Sequence, residues 1–188
     1  MNRSDDKPIL FCVVDFDKTL LTVDSMFFIL RREKLYLEPF VLMWGVVWLG
    51  ALILPREYQL FIRRHLKFHL LRILKKRGDR EIIERYAKIF AAYINKELVV
   101  FLQKNYTTVI VISSSWEPLI SATLRQADLS RFAVYGTRFT EDFSHFWVCW
   151  YTNKLKVLDA LKITDFDLFT DSTDDLPLMR RARNFFIV

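Results

Sequence analysis

The feature that most restricts this chain is a short apolar run, Ile9 to Val14, that passes without a spacer into Asp15-Phe16-Asp17-Lys18-Thr19. An apolar run with no polar alternation suits a strand buried on both faces, as in parallel sheets. Similar runs recur at Thr108 to Ile112, Asp167 to Thr170 and Phe185 to Val188. Helical stretches separate them: Trp116 to Ala127, with Glu117 and Pro118 in its first turn, then Lys154 to Lys162, then Asp174 to Arg183. The alternation predicts an α/β fold with a mostly parallel sheet, right-handed crossovers and a site beyond the carboxyl ends of the strands. Tyr135 to Trp150 is read as a strand and a small hairpin.

Between the first strand and Thr108 lie roughly ninety residues dominated by helical periodicity, such as Ile82, Ile83, Tyr86, Ile89, Phe90 and Tyr93. With 188 residues, one core is the default, and 52% hydrophobic content with 17 Phe excludes disorder. The long helical stretch is therefore read as an insertion that caps the sheet domain. The expected division is 1–22 with 106–188 as the α/β core, and 23–105 as the helical cap. Only four glycines occur, at Gly45, Gly50, Gly78 and Gly136, which excludes the closely spaced glycines of the common nucleotide-cradling loops.

A net charge of +6 favours anionic partners without choosing among them. Cys12 and Cys149 lie far apart in sequence, so a reducing, cytoplasmic setting without disulfides is expected. Asp5 and Asp6 stand where a signal peptide needs basic residues, and Asp15 stops the apolar run, so no such leader is expected. The segment Pro39 to Pro55 carries no charge and is just short of the ~20 residues of a perpendicular span. Arg31, Arg32 and Lys34 precede it, and Arg56, Arg63, Arg64 and Lys67 follow, so the positive excess is not one-sided. A full crossing would also separate the first strand from the others. These points favour a re-entrant or interfacial segment, with Gly45 and Gly50 allowing a bend, over a simple span; a cap helix buried in protein is the alternative.

The two-residue period of an extended chain puts Asp15 and Asp17 on one side. At an effective dielectric of 20, like charges about 4 Å apart repel by about 4 kcal/mol, so such a pair must bind a cation, hold a proton or point apart. The strand Asp167 to Thr170 delivers Asp171-Ser172-Thr173-Asp174-Asp175 to the same sheet edge. Converging hard oxygen donors suit Mg²⁺. Each cluster alone has a plainer explanation, since Asp, Ser and Thr are turn and cap residues, and Asp171 or Ser172 would cap the final helix.

Taken together with Ser113 at a strand end and a lysine opening the helix near Lys154, these sites stand in an order that resembles the haloacid dehalogenase superfamily of phosphohydrolases. Its four motifs appear as Asp15-Phe16-Asp17-Lys18-Thr19, as Val111-Ile112-Ser113-Ser114-Ser115, as the lysine, and as Asp171-Ser172-Thr173-Asp174-Asp175. The resemblance spans nearly the whole chain and implies a Rossmann-like core. It implies Asp15 as nucleophile, Asp17 as general acid and base, and Lys154 as the motif lysine. It implies Thr19, Ser113, Ser114 and Asp24 as substrate contacts or supports, and Asp15, Asp17, Asp171 and Asp175 around Mg²⁺. Lys156 is the alternative to Lys154, which is preferred because Leu155, Leu158 and Leu161 then face inward. Lys18 and Thr170 depart from the family pattern at positions that are often glycine. The insertion after the first motif resembles the cap of the phosphoserine phosphatase subgroup. Within it, Leu21-Thr22-Val23-Asp24-Ser25 and Ser113-x-Ser115-x-Glu117-Pro118 look most like the phosphatidylglycerophosphatase C group.

The chemistry expected of such a chain is Mg²⁺-dependent hydrolysis of a phosphate monoester through an aspartyl phosphate. A membrane lipid phosphate, handled by a peripheral or monotopic protein on the inner face of the cytoplasmic membrane, is the leading substrate. A soluble phosphoserine-like or sugar phosphate is the second, and an inactive membrane-associated scaffold the third. The basic helical stretch Arg56 to Arg77 is read as a solvated cap face, the commoner outcome for such a helix, with a membrane surface as the preferred functional reading, and no nucleic-acid partner is expected. His65 and His69 stand i, i+4, but Leu66 replaces the glutamate of a zinc-hydrolase helix and no third ligand is near. No G-x-S-x-G elbow occurs, which argues against a serine hydrolase.

Overall fold

The structure, a computed structural model, describes residues 11–188. Ile9 and Leu10 of the first apolar run, and Asp5 and Asp6, lie outside the described residues. Strands β1 (Phe11–Val14), β2 (Thr108–Trp116), β3 (Ala133–Thr137), β4 (Asp167–Thr170) and β5 (Asn184–Ile187) form one parallel sheet in the order β3-β2-β1-β4-β5. Val13 pairs with Ile110 on one side and Leu168 on the other. These three pack with Leu158, Phe166 and Leu178 on one face of the sheet, while Cys12, Val14, Val111 and Phe169 join the core on the other. Burial on both faces is why the strands read as continuous apolar runs rather than alternating ones. Both cysteines are buried and free.

Five helices fill the chain between β1 and β2: α1 (Ser25–Arg32), α2 (Pro39–Ala51), α3 (Arg56–Lys76), α4 (Asp79–Ala91) and α5 (Lys96–Asn105). Their starts follow from the local sequence. Asp24 caps α1 by accepting a hydrogen bond from the Phe27 amide at 2.8 Å, and Asn95 caps α5 through Leu98 at 3.1 Å. Gly78, with φ at +100°, supplies the left-handed turn between α3 and α4. Ile82, Tyr86 and Phe90 form the buried stripe of α4. That helix packs on α6 (Glu117–Gln126) of the sheet domain, so insertion and sheet share one hydrophobic cluster. The opposite face of the sheet is covered by α7 (Thr152–Ala160) and α8 (Leu176–Met179).

Three local differences from the sequence pattern have physical causes. β2 runs four residues past Ile112, to Trp116, with a shift of register against β3 that frees the Ser113–Ser115 backbone from regular pairing. The expected hairpin after β3 reduces to a single bridge between Arg138 and Trp147. The helix expected over Asp174 to Arg183 shrinks to Leu176–Met179 behind a 3₁₀ turn at Thr173–Asp175, which Ser172 caps through the Asp174 amide at 3.1 Å. It ends early because the chain must return to the sheet, where the Arg183 amide donates to the Phe166 carbonyl at 2.9 Å and its guanidinium pairs with Asp167 at 2.9 Å.

The uncharged segment forms α2 and the turn after it. Only Val41 and Ala51 of the helix are buried, so the reading of it as a cap helix enclosed in protein is corrected. Among the described residues no helix is long and apolar enough to cross a membrane. α2 is continuous through Gly45 and Gly50, so the bend that these glycines would permit is not used.

Space around the glycines leads to opposite expectations at two sites. Gly45 has nothing within 4 Å of an added Cβ, whereas one at Gly136 would meet the Ser115 carbonyl oxygen at 2.8 Å. Gly45→Ala should therefore stabilise the protein by about 0.5–1 kcal/mol, and Gly136→Ala should destabilise it by about 1–3 kcal/mol, both read from urea unfolding. Equal effects of one sign would contradict this packing.

Candidate active site

The carboxyl ends of β1, β2 and β4 meet at one polar cavity of about 180 Å³, lined by Asp15, Asp17, Asp24, Ser114, Lys154 and Asp171 among others. Asp15 continues β1 directly: its amide donates to the Phe169 carbonyl of β4 at 2.9 Å, so its position is set by the sheet. The next turn is tight, with Lys18 at φ 56°, in the left-handed region that favours glycine. This gives the departure at Lys18 a backbone cost.

Lys154 lies in the first turn of α7 and is 3% exposed. Its Nζ stands 3.0 Å from Asp15 Oδ1 and 2.9 Å from Asp175 Oδ2. Burial alone would lower its pKa, but the Asp15 and Asp175 carboxylates outweigh it and hold the ammonium well above the usual lysine value. Lys156 instead borders a separate pocket beside Arg64 and Asn153, so of the two lysines it is Lys154 that stands at Asp15. The turn that feeds α7 is strained, with Tyr151 at φ 53° and ψ −128°, a conformation that costs of order 1–3 kcal/mol and is held by the packing around it.

The Asp17 carboxylate points away from this pair. It accepts from the Ser25 amide at 2.8 Å and from the Ser115 hydroxyl, and the Ser25 and Ser115 hydroxyls are 3.0 Å apart. Burial, then the charge of Asp24, push its pKa up to about 6 against the lowering effect of these hydrogen bonds. Asp171 is also raised, by burial and by the facing charge of Asp15.

The four carboxylates expected around one ion all line the cavity, each with partners of its own. Among the described residues no group of three or more His, Cys, Asp or Glu side chains is arranged to hold a metal ion. Asp17 is turned to Ser25 and Ser115, and Asp175 is taken by Lys154 and by the Thr170 hydroxyl at 2.8 Å. Thr170, which departs from the glycine pattern, therefore contributes a specific bond. Asp15, which receives Lys154, and Asp171 line the cavity from its sheet side, and Asp17 and Asp175 line it with their own hydrogen bonds made. Thr19 and Ser113 do not border it. Both are buried, the Thr19 hydroxyl without a hydrogen-bond partner among the described residues and the Ser113 hydroxyl accepting from the Ser115 amide at 3.3 Å. Ser114 is the serine of that segment that borders the cavity, and Asp24 also borders it while capping α1.

Four cavity or near-cavity groups were not singled out by the sequence: Arg63, Lys67, Trp150 and Asp174. The Arg63 guanidinium lies over the Trp48 and Trp150 rings, 5.5 and 4.7 Å from their centroids, and 3.4 Å from Asp174. Asp174 also pairs with Arg56 at 3.0 Å and accepts from the Trp150 indole at 3.0 Å, so cap and core meet at this carboxylate. Lys67 is buried and donates to the Ser114 carbonyl, which also accepts from Thr137 Oγ1 at 2.7 Å. The signal for these residues was present: Arg56, Arg63 and Lys67 are spaced by seven and four, one stripe of a helix. Their basic character read as a surface face because the chain does not show which side of α3 meets the core. The His65 and His69 rings stack on Trp44 and Phe40 at 4.5 and 5.2 Å, joining α3 to α2.

Comparison with known proteins agrees with this geometry. No curated protein matches the sequence at a significant level. A phosphoserine phosphohydrolase-like protein from Francisella tularensis subsp. tularensis SCHU S4 shares the fold with a TM-score of 0.59 at 18% identity, over 95% of this chain and 86% of that one. Cytosolic 5'-nucleotidase IIIB, in a structure bound to cytidine, shares it with a TM-score of 0.61 at 15% identity, over 95% of this chain and 71% of that one. The family model for haloacid dehalogenase-like hydrolases matches residues 12–180, and with all four motif segments around one cavity the chain belongs to that family.

Proposed function

We propose that the protein is a Mg²⁺-dependent phosphatase that hydrolyses a phosphate monoester through a phosphoryl group carried on Asp15. The observation that carries this reading is the shared cavity, in which Asp15 is held by the buried ammonium of Lys154 while Asp17, on its own hydrogen bonds, faces the same space. An Asp15 oxygen attacks phosphorus, and the bond from phosphorus to the ester oxygen breaks. Asp17, protonated, gives its proton to the departing alkoxide. Water then attacks the aspartyl phosphate, Asp17 accepts a proton from it, and phosphate leaves with Asp15 restored. Lys154 offsets charge beside Asp15 throughout, and the Ser114 segment supplies polar contacts to the phosphoryl oxygens.

The donor set fits Mg²⁺, which is commonly held by one or two carboxylates with waters and substrate phosphate completing its shell. Asp15 and Asp171 would hold it. Bound there, the ion supplies charge neutralisation for the phosphoryl oxygens. The remaining residues of the cap serve the same end. Arg63 brings a cation from α3 to a site with an acidic floor, and Lys67 of the same helix holds the Ser114 carbonyl in place.

A phosphate monoester on a membrane lipid, of the phosphatidylglycerophosphate kind, is the substrate class we favour, because the cap exposes the apolar helix α2 beside the cavity. A soluble phosphoserine-like or sugar phosphate is the other outcome that a substrate screen would reveal. Phosphate release from an aryl phosphate should require added Mg²⁺ and fall by at least about 1,000-fold in Asp15→Asn. Retained turnover in that variant would remove Asp15 as nucleophile. A second expectation concerns Lys67, whose pKa burial and then the neighbouring Arg63 push down to about 7. Between about pH 7 and the ordinary lysine value near 10.4, the unfolded chain binds a proton that the folded one does not, so this group adds stability as pH rises. The stability of the wild type relative to Lys67→Met should accordingly increase from pH 7 to pH 9 in urea titrations; a constant difference would place the ammonium in a solvated setting.

A further inference from the structure

We propose that the cap docks on an anionic phospholipid bilayer through α2, lying in the interface rather than crossing it, with a basic pocket at the foot of the helix gripping lipid phosphates. The proposal concerns surface residues and stands whichever reaction the cavity performs; the preference for a lipid substrate rests on it, not the reverse.

The first observation is exposure without charge. Pro39 to Pro55 holds no charged residue, yet Phe40, Val46 and Leu49 are 60–67% exposed and Ile53 is 92% exposed. A soluble monomer seldom leaves so many large apolar side chains of one helix and its turn in water. At 1.5 Å per residue, the 13 residues of α2 reach about 20 Å, short of the ~30 Å hydrocarbon core. A helix of this length, apolar on its open side, suits burial among headgroups and upper acyl chains.

The second observation is the charge around it. A pocket of about 420 Å³ at the start of α2 is lined by Phe40, His69, Arg72, Lys76, Arg77 and Glu38. Glu38 is satisfied by Arg77, whereas Arg72 and Lys76, four residues apart on α3, enter no ion pair among the described residues. Two unpaired cations next to an apolar helix match the negative charge of an anionic phospholipid surface. The same rim argues against a second copy of this chain as occupant, since a twofold contact through α2 would bring like basic rims together on a protein of net charge +6.

The third observation ties the surface to the site. On its inner side α2 presents Trp48, whose ring lies 6.3 Å from that of Trp150 and beneath the Arg63 guanidinium, and Trp150 and Arg63 line the acidic cavity. A bilayer under α2 would thus lie within one side-chain layer of the reaction space.

The test is co-sedimentation of the full chain with vesicles of phosphatidylcholine alone and with about one-third phosphatidylglycerol. Wild type should pellet with the anionic vesicles and at least about 10-fold less with the neutral ones. Leu49→Asp with Ile53→Asp should lose binding by at least about 10-fold, and Arg72→Glu with Lys76→Glu should lose the anionic preference. In wild type, brominated acyl chains should quench part of the fluorescence of the five tryptophans, a readout that needs no variant. A wild type that stays in the supernatant with both vesicles overturns the proposal, as does absence of quenching. A dimer in vesicle-free sedimentation that Ile53→Asp dissolves would assign the face to a second copy and overturn it equally.

Discussion

The arrangement at the sheet edge depends on one buried cation. Lys154 stands between Asp15 and Asp175 with almost no exposure, and a charge so placed is tolerable only because two carboxylates receive it. The reverse also holds: two acids from strands β1 and β4, adjacent in the sheet, would repel each other without the ammonium between them. α7 must therefore start where it does, and the strained turn at Tyr151 is the local cost of starting it there. Because the acids follow the ends of β1 and β4 and α7 carries the lysine, the cluster ties the central strands to the layer beneath them. Asp15 is oriented by the fold itself, so in the proposed reaction the cost of aligning it falls on folding and not on the chemistry.

Much of this was legible in the chain. The strands show because burial on both faces leaves no polar alternation, and the insertion shows because its apolar residues recur at a helical period instead of in continuous runs. The motif acids show because their positions follow directly from strand ends. What did not show depends on which way a side chain turns. Asp15 and Asp17 share a side in an extended chain, yet the turn at Lys18 and the amide of Ser25 draw the second carboxyl toward the cap. The irregular end of β2 brings Ser114 to the cavity and buries Ser113, a distinction that a strand's period alone does not make once its register shifts.

The cap illustrates the same limit in another form. A basic helix such as α3 reads as solvated, and most such helices are. Here its two sides do different work: Arg63 and Lys67 face the acids, Arg72 and Lys76 face outward, and His65 and His69 stack under α2. Only tertiary contacts divide one positive run into those parts. The uncharged stretch after Pro39 posed the opposite question, whether its apolar side chains meet protein, and the exposure of nearly all of α2 answers it.

The triangle of Asp17, Ser25 and Ser115 joins three separate stretches of chain: the loop after β1, the first residue of α1, and the end of β2. Ser25 is also where the inserted helices begin. The Asp17 carboxyl is consequently a rivet at the root of the whole insertion, with one oxygen fastened to the start of α1 and the other to the end of β2. Any tilt of the helices about that root would strain the rivet first, and the same bonds hold down the pKa of this acid, so the seating of the roof and the tuning of the carboxyl are one fact of the fold.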